Sequence, residues 1–161
     1  RLGRLRDSFA QLNVVLPENQ LEVLAADYLD ILPTHNHLFD GALEILDYLK
    51  GKYQLHIITN GFAGVQENKI INANISQYFQ TITNSEMAGV KKPNPVIYEF
   101  ASNLAKAQKK ESIMIGDCLI ADVQGALNYG MDAILFDDKN NLEVGQEIKK
   151  INHLLELKNY L

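Results

Sequence analysis

Two aspartates close a short apolar run in "SIMIGDCLIADVQG", residues 112–125: Asp117 follows directly after a glycine, and Asp122 stands about one helical turn later. Taken alone, the pair suits a helix N-terminus, whose dipole favours negative side chains. Other groups widen the reading. Thr59 and Asn60 end a second apolar run, "LHIITNG", and Lys92 precedes Pro93 in "GVKKPNPVIY". A hydroxyl, an amide, a cation and two carboxylates suit a phosphoryl substrate with magnesium. Phosphoryl transfer spreads negative charge over the non-bridging oxygens, so catalysis rests on positioning, positive charge and hydrogen-bond donors aimed at them. Thr59 offers a hydroxyl, and Lys92 a compact cation that meets phosphate as a point charge. Magnesium takes oxygen ligands, keeps several waters and uses one or two carboxylates directly. Asp117 and Asp122 fit one direct and one water-mediated contact.

These residues converge only if their segments form a parallel α/β sheet. From residue 40 onward the pattern alternates. "DGALEILDYLKG" reads as a helix, "YQLHIITNG" as a strand, residues 65–72 as a helix and "YFQTITN" as a strand. A helix then opens with Asn94 as N-cap and Pro95 in its first turn, followed by strand "SIMIGD", a helix closed by Gly130 and strand "DAILFDD". Such alternation predicts βαβ units, a doubly wound, Rossmann-like parallel sheet and helices on both faces. Ligands then bind outside the carboxyl ends of the strands, where Thr59, Asn60, Asn84 to Glu86, Asp117, Asp137 and Asp138 fall. Before residue 39, apolar spacing broken at Pro17 and Pro33 predicts two or more helices and no strand.

In order and spacing, "IITNGF", "GVKKPNPVIY" and "IGDCLIADVQGA" resemble the second, third and fourth motifs of the haloacid dehalogenase-like (HAD) hydrolase superfamily. The resemblance implies that Thr59 is the second-motif hydroxyl, Lys92 the third-motif lysine, and Asp117 with Asp122 the acidic magnesium pair. It also implies that residues 1–38 are a remnant of a helical cap domain and residues 39–161 the α/β core. The wording of "TNGF" most resembles the noncanonical pyrimidine nucleotidase branch. The implied activity is magnesium-dependent hydrolysis of a small phosphomonoester, a nucleoside 5′-monophosphate first, through an aspartyl-phosphate. The nucleophile of the first motif, an aspartate two residues before a second, is not found in these 161 residues. It is expected upstream, on a strand central to the sheet. "AILFDDKNNLE" imitates that motif, but Lys139 stands where the second carboxylate belongs.

Composition excludes several classes. The formal charge of -5 argues against nucleic-acid polymers as partners, and no apolar run approaches the roughly 20 residues that span a bilayer. One cysteine, Cys118, makes no internal disulfide, so a reducing cytoplasm is the default compartment. Composition and pattern leave the oligomeric state open. His35 and His37 lack a third ligand and read as loop residues, His56 as a packed core residue, and Lys91 and Glu86 as solvated. Asn60 divides evenly between orienting the phosphoryl group or the nucleophile and suiting the Asn-Gly turn. Other HAD enzymes (sugar phosphatase, phosphomutase, dehalogenase) and a non-catalytic binding domain stay open as alternatives. A receiver-type signalling domain is rejected because its acidic residues precede its hydroxyl and lysine.

Overall fold

The computed structural model describes residues 2–161. The N-terminal segment is helical, as expected: α1 (Leu2–Gln11) and α2 (Glu18–Ile31) are separated at Pro17, which stands at the N-cap position of α2. α1 buries no residue, and α2 buries only Leu21 and Ala25. A short 3₁₀ turn, Leu32–Thr34, follows, and Asn72 Nδ2 donates to the Pro33 carbonyl at 3.1 Å, tying this segment to the core.

The core alternates as the sequence predicts. α3 (Ala42–Leu49) leads to β1 (Leu55–Thr59), α4 (Ala63–Asn72), β2 (Phe79–Asn84) and the single turn α5 (Ser85–Ala88). α6 (Pro95–Ala105) begins as expected, with the Asn94 side chain accepting from Val96 N at 3.0 Å and Pro95 in the first turn. β3 (Ile113–Gly116) precedes a π-helical turn, Leu119–Gln124, that runs into α7 (Gly125–Tyr129). Gly130, at φ 101°, ends that helix in a conformation open to glycine. β4 (Asp132–Phe136) follows. A short strand β5 (Lys149–Ile151) and a 3₁₀ helix (Leu154–Asn159) complete the fold where the sequence pattern assigns no element.

Every strand pair is parallel, with helices on both faces. The alternation along β4 shows this: Ala133 and Leu135 pack with Ile97 and Tyr98 of α6 and Ala126 of α7. Ile134 and Phe136 pack with Ile45 and Leu49 of α3 and with Leu157. The α/β class is therefore as expected, but the sheet is in two parts. β1 pairs with β2 alone, while the second part runs β3-β4-β5. Both β1 and β3 line an apolar cavity of about 650 Å³. Their residues are only half-buried, whereas Ala133–Phe136 of β4 are buried. No helix among the described residues is long and apolar enough to cross a membrane.

Candidate active site

The structure joins Asn60, Lys92 and Asp122 in one hydrogen-bonded network at the carboxyl edge of the strands, with Thr59 next to Asn60 at the end of β1. β1 ends at Thr59, where the chain turns so that Thr59 Oγ1 accepts from Gly61 N at 3.0 Å. With that acceptor position filled, the hydroxyl proton is free to donate. The Asn60 side chain grips the backbone of Lys92 at two points. Its Oδ1 accepts from Lys92 N at 2.7 Å and its Nδ2 donates to the Lys92 carbonyl at 3.0 Å. Asn60 thus positions the loop that carries the lysine, a role neither of its two sequence readings included.

Lys92 reaches back under the strand end, as a fixed cation should. Its Nζ donates to the Ile58 carbonyl at 2.7 Å and to Asp122 Oδ1 at 2.6 Å. The two side chains are only 9% and 5% exposed, so the ion pair is desolvated and hydrogen-bonded at both ends. Lys91, by contrast, is exposed, as expected.

Asp122 is aimed by the π-helical turn. The Cys118 carbonyl accepts from Asp122 N at 2.8 Å and from Val123 N at 3.3 Å, and the five-residue step widens the helix. The second carboxylate oxygen of Asp122 accepts from Cys118 N at 2.9 Å. A side chain at position 116 would obstruct this arrangement, because a Cβ on Gly116 would lie 2.5 Å from the Asp122 carboxylate. Tyr98, fully buried beneath the turn, donates its hydroxyl to the Ala121 carbonyl. Burial, then the nearby Asp122 and Cys118, push its pKa up to about 12. The phenol is therefore a neutral donor. No feature of the local sequence singles out Tyr98.

Asp117 is exposed at the end of β3, and Asp122 is buried behind the lysine. A magnesium ion needs only one or two carboxylates and keeps its waters; the exposed Asp117 carboxylate suits a direct contact, whereas both oxygens of Asp122 already accept, from Lys92 Nζ and from Cys118 N, so that Asp122 suits a contact through water. Among the described residues there is no group of three or more His, Cys, Asp or Glu suited to a tighter metal site. His35 and His37 are exposed, consistent with loop residues. Glu86, also exposed, is not simply solvated: its Oε2 accepts from Ala63 N at 2.9 Å, joining α5 to the start of α4.

Asp137, at the end of β4, stands outside the network of Lys92 and Asp122. It is buried, accepts from Leu142 N at 2.8 Å and pairs with Lys150 at 3.5 Å. The Leu142 bond above all holds its carboxyl below the usual range. Its work is to anchor the loop after β4.

A parallel α/β domain that sets a hydroxyl, a buried lysine and two aspartates at its strand ends is built as a hydrolase core. More particularly, the chain belongs to the haloacid dehalogenase-like hydrolase family, whose model matches residues 3–136. It is 32% identical over 139 residues to the pyrimidine 5′-nucleotidase PynA of Streptococcus pneumoniae, covering 85% of this chain and 56% of that protein. It is 37% identical over 97 residues to a glyceraldehyde 3-phosphate phosphatase of Pyrococcus abyssi, covering 60% of this chain and 41% of the relative. The chain thus spans about half the length of these curated relatives. In fold it resembles the HAD-hydrolase YfnB of Bacillus subtilis, whose structure was solved with magnesium bound. That likeness has a TM-score of 0.87 at 23% identity and covers 98% of this chain and 69% of YfnB.

Proposed function

We propose that this chain is part of a magnesium-dependent phosphatase for small phosphomonoesters, with pyrimidine nucleoside 5′-monophosphates as the first class. The observation that carries the reading is Lys92, clamped by Asn60 and held at 2.7 Å and 2.6 Å from the Ile58 carbonyl and Asp122, behind the strand end that bears Thr59. A cation and a hydroxyl fixed together suit the oxygens of a transferred phosphoryl group. Lys92 neutralises one oxygen, while Thr59 donates its proton to another and orients the group for in-line attack.

Asp117 and Asp122 would hold magnesium, which supplies positive charge against the phosphoryl oxygens when bound. The nucleophile is an aspartate from outside these 161 residues, carried on a strand beside β1 and β3. Its carboxylate oxygen attacks phosphorus, the ester P–O bond breaks and the leaving alkoxide takes a proton from water; a second water then cleaves the aspartyl-phosphate, releasing phosphate and returning the carboxylate. Residues 1–38 contribute part of a cap over this edge.

Support for a phosphatase comes from the relatives, one acting on pyrimidine nucleotides and the other on glyceraldehyde 3-phosphate. The test is phosphate release by the intact protein from a panel of nucleoside monophosphates and triose and sugar phosphates, with magnesium and with chelator. Expected are release in magnesium, none in chelator, and loss of at least about a hundredfold in kcat for Lys92→Met. No release from any ester would overturn the reading. Release from glyceraldehyde 3-phosphate alone would replace the nucleotidase with a sugar phosphatase.

A further inference from the structure

A pocket of about 310 Å³ lies where the helical segment before residue 39 meets the start of α4, and it shares no lining residue with the cavity along β1 and β3. Leu29 and Pro33 line it from the first segment, Phe62 and Val65 from the second. Asn72, on the same helix as Val65, holds the Pro33 carbonyl at 3.1 Å, so the two groups of apolar residues are tied to one another. Asn68 and Glu86 are the polar residues of the lining. Small-molecule pockets are built this way, with apolar walls that take the faces of a ligand and a few polar groups that choose its edge.

Both polar residues have bonding capacity that the fold leaves unspent. Asn68 is the sixth of the ten residues of α4, a place where asparagine weakens a helix, and among the described residues its amide makes no hydrogen bond. Glu86 spends one oxygen, Oε2, on Ala63 N at 2.9 Å. That bond steadies the carboxylate, and Oε1 has no partner among the described residues. The pocket is also joined to the edge that bears Thr59. Phe62 follows Thr59 by three residues, so their Cα atoms are at most about 11 Å apart. Ser85 Oγ donates to the Asn60 carbonyl at 3.3 Å, which ties the turn that carries Glu86 to the same strand end. A nucleoside 5′-phosphate spans a comparable distance from phosphorus to the outer edge of its base.

We propose that this pocket receives the base of a pyrimidine nucleotide whose phosphate lies against Thr59 and Lys92, and that Asn68 and Glu86 read a ring edge carrying an N–H beside an acceptor. Uracil has that edge at N3–H and O4, cytosine at N4–H and N3. Asn68 supplies a donor and an acceptor side by side, and Glu86 a second acceptor. A base whose N–H is methylated leaves one of those oxygens facing no proton. Ribose 5-phosphate, which has no base, leaves the pocket empty. The inference rests on the functional reading that puts a phosphoryl group at Thr59, and it adds the residues that select the leaving group.

The test measures phosphate release by the intact protein in magnesium from uridine and cytidine 5′-monophosphates, from the first methylated at N3 and the second dimethylated at N4, and from ribose 5-phosphate. Methylation is expected to raise KM about tenfold for at least one base, and that base is the one the pocket reads. Asn68→Ala, at an exposed helical position where alanine favours the helix, should raise KM for the same nucleotide about tenfold relative to KM for ribose 5-phosphate. Glu86→Gln keeps an oxygen for Ala63 N but turns an amide donor toward the pocket, and should move that ratio in the same direction. No effect of methylation, or equal shifts of both KM values in Asn68→Ala, would overturn the inference. Failure of the functional reading is seen separately, as no release from either nucleotide. Base binding is then read with uridine and cytidine themselves, by broadening of their base proton NMR signals on adding the protein. Broadening that Asn68→Ala abolishes supports the pocket; none, or the same broadening by both proteins, overturns it.

Discussion

Replacing Asp122 by asparagine tests how the lysine is held. The substitution keeps the size of the side chain and an oxygen that can accept from Cys118 N, but leaves the Lys92 ammonium, 9% exposed, opposite a neutral amide. Removing one partner of a buried pair costs roughly 3–5 kcal/mol because the other charge stays desolvated. The Ile58 carbonyl retains its bond to Nζ at 2.7 Å and offsets part of this, so a loss of about 3 kcal/mol is expected. Against a total of about 5–15 kcal/mol for an ordinary domain, the variant loses a fifth or more of its stability. At roughly 2–4 °C per kcal/mol for a chain of this size, its Tm falls by roughly 6–12 °C. Urea unfolding followed by circular dichroism, in chelator so that no divalent ion contributes, measures this directly. Combining Asp122→Leu with Lys92→Met removes both charges. That double variant should be more stable than Asp122→Asn, with a coupling of about 2 kcal/mol in the mutant cycle. A loss below about 1 kcal/mol for Asp122→Asn, or additive single effects, would refute the argument.

Four further outcomes follow from the same geometry. Gly116→Ala places a Cβ 2.5 Å from the Asp122 carboxylate and should displace it, costing roughly 1–3 kcal/mol by urea unfolding and lowering turnover by the intact protein. Asn60→Ala cuts both bonds to the Lys92 backbone and should cost roughly 1–2 kcal/mol, with kcat falling more than KM rises. Burial sets the His56 pKa below its ordinary value, so the unfolded chain binds this proton more readily than the folded one. The stability linked to neutral His56 is complete above about pH 6.5 and is lost as pH falls through the depressed folded value, and His56→Leu should flatten that slope in unfolding measured at pH 7 and pH 5. Magnesium at ten times its Kd should stabilise the intact protein by about 1.4 kcal/mol in thermal melts, and Asp117→Asn should abolish the shift.

What the sequence made legible is what local chemistry writes. Asn94 and Pro95 announce the start of α6, Gly130 the end of α7, and short apolar runs the strands, because caps, turns and burial leave marks a few residues long. Residue types and their order also pointed to Thr59, Lys92, Asp117 and Asp122 as one group, of which Lys92 and Asp122 are in direct contact. The manner of their joining was hidden. Asn60 and Lys92 are 32 positions apart, and nothing in "TNG" tells that its amide holds a distant backbone rather than a ligand. The π-helical turn at 119–124 has the composition of an ordinary helix start, and only its bonding to the Cys118 carbonyl shows the extra residue. β5, "KKI", is short and charged, and its pairing with β4 is a long-range event. The split between β1 and β3 is likewise a fact of strand order, which no window of residues contains.

The bonding of Lys92 limits what a ligand can receive from it. An ammonium group has three protons to share. One points to the Ile58 carbonyl and one to Asp122, which leaves a single N–H for anything bound at the strand end. The lysine therefore grips one oxygen and acts as a pivot, about which a tetrahedral anion is free to swivel. A second point of attachment is needed to stop that rotation, and the unspent proton of Thr59 is where the chain supplies it.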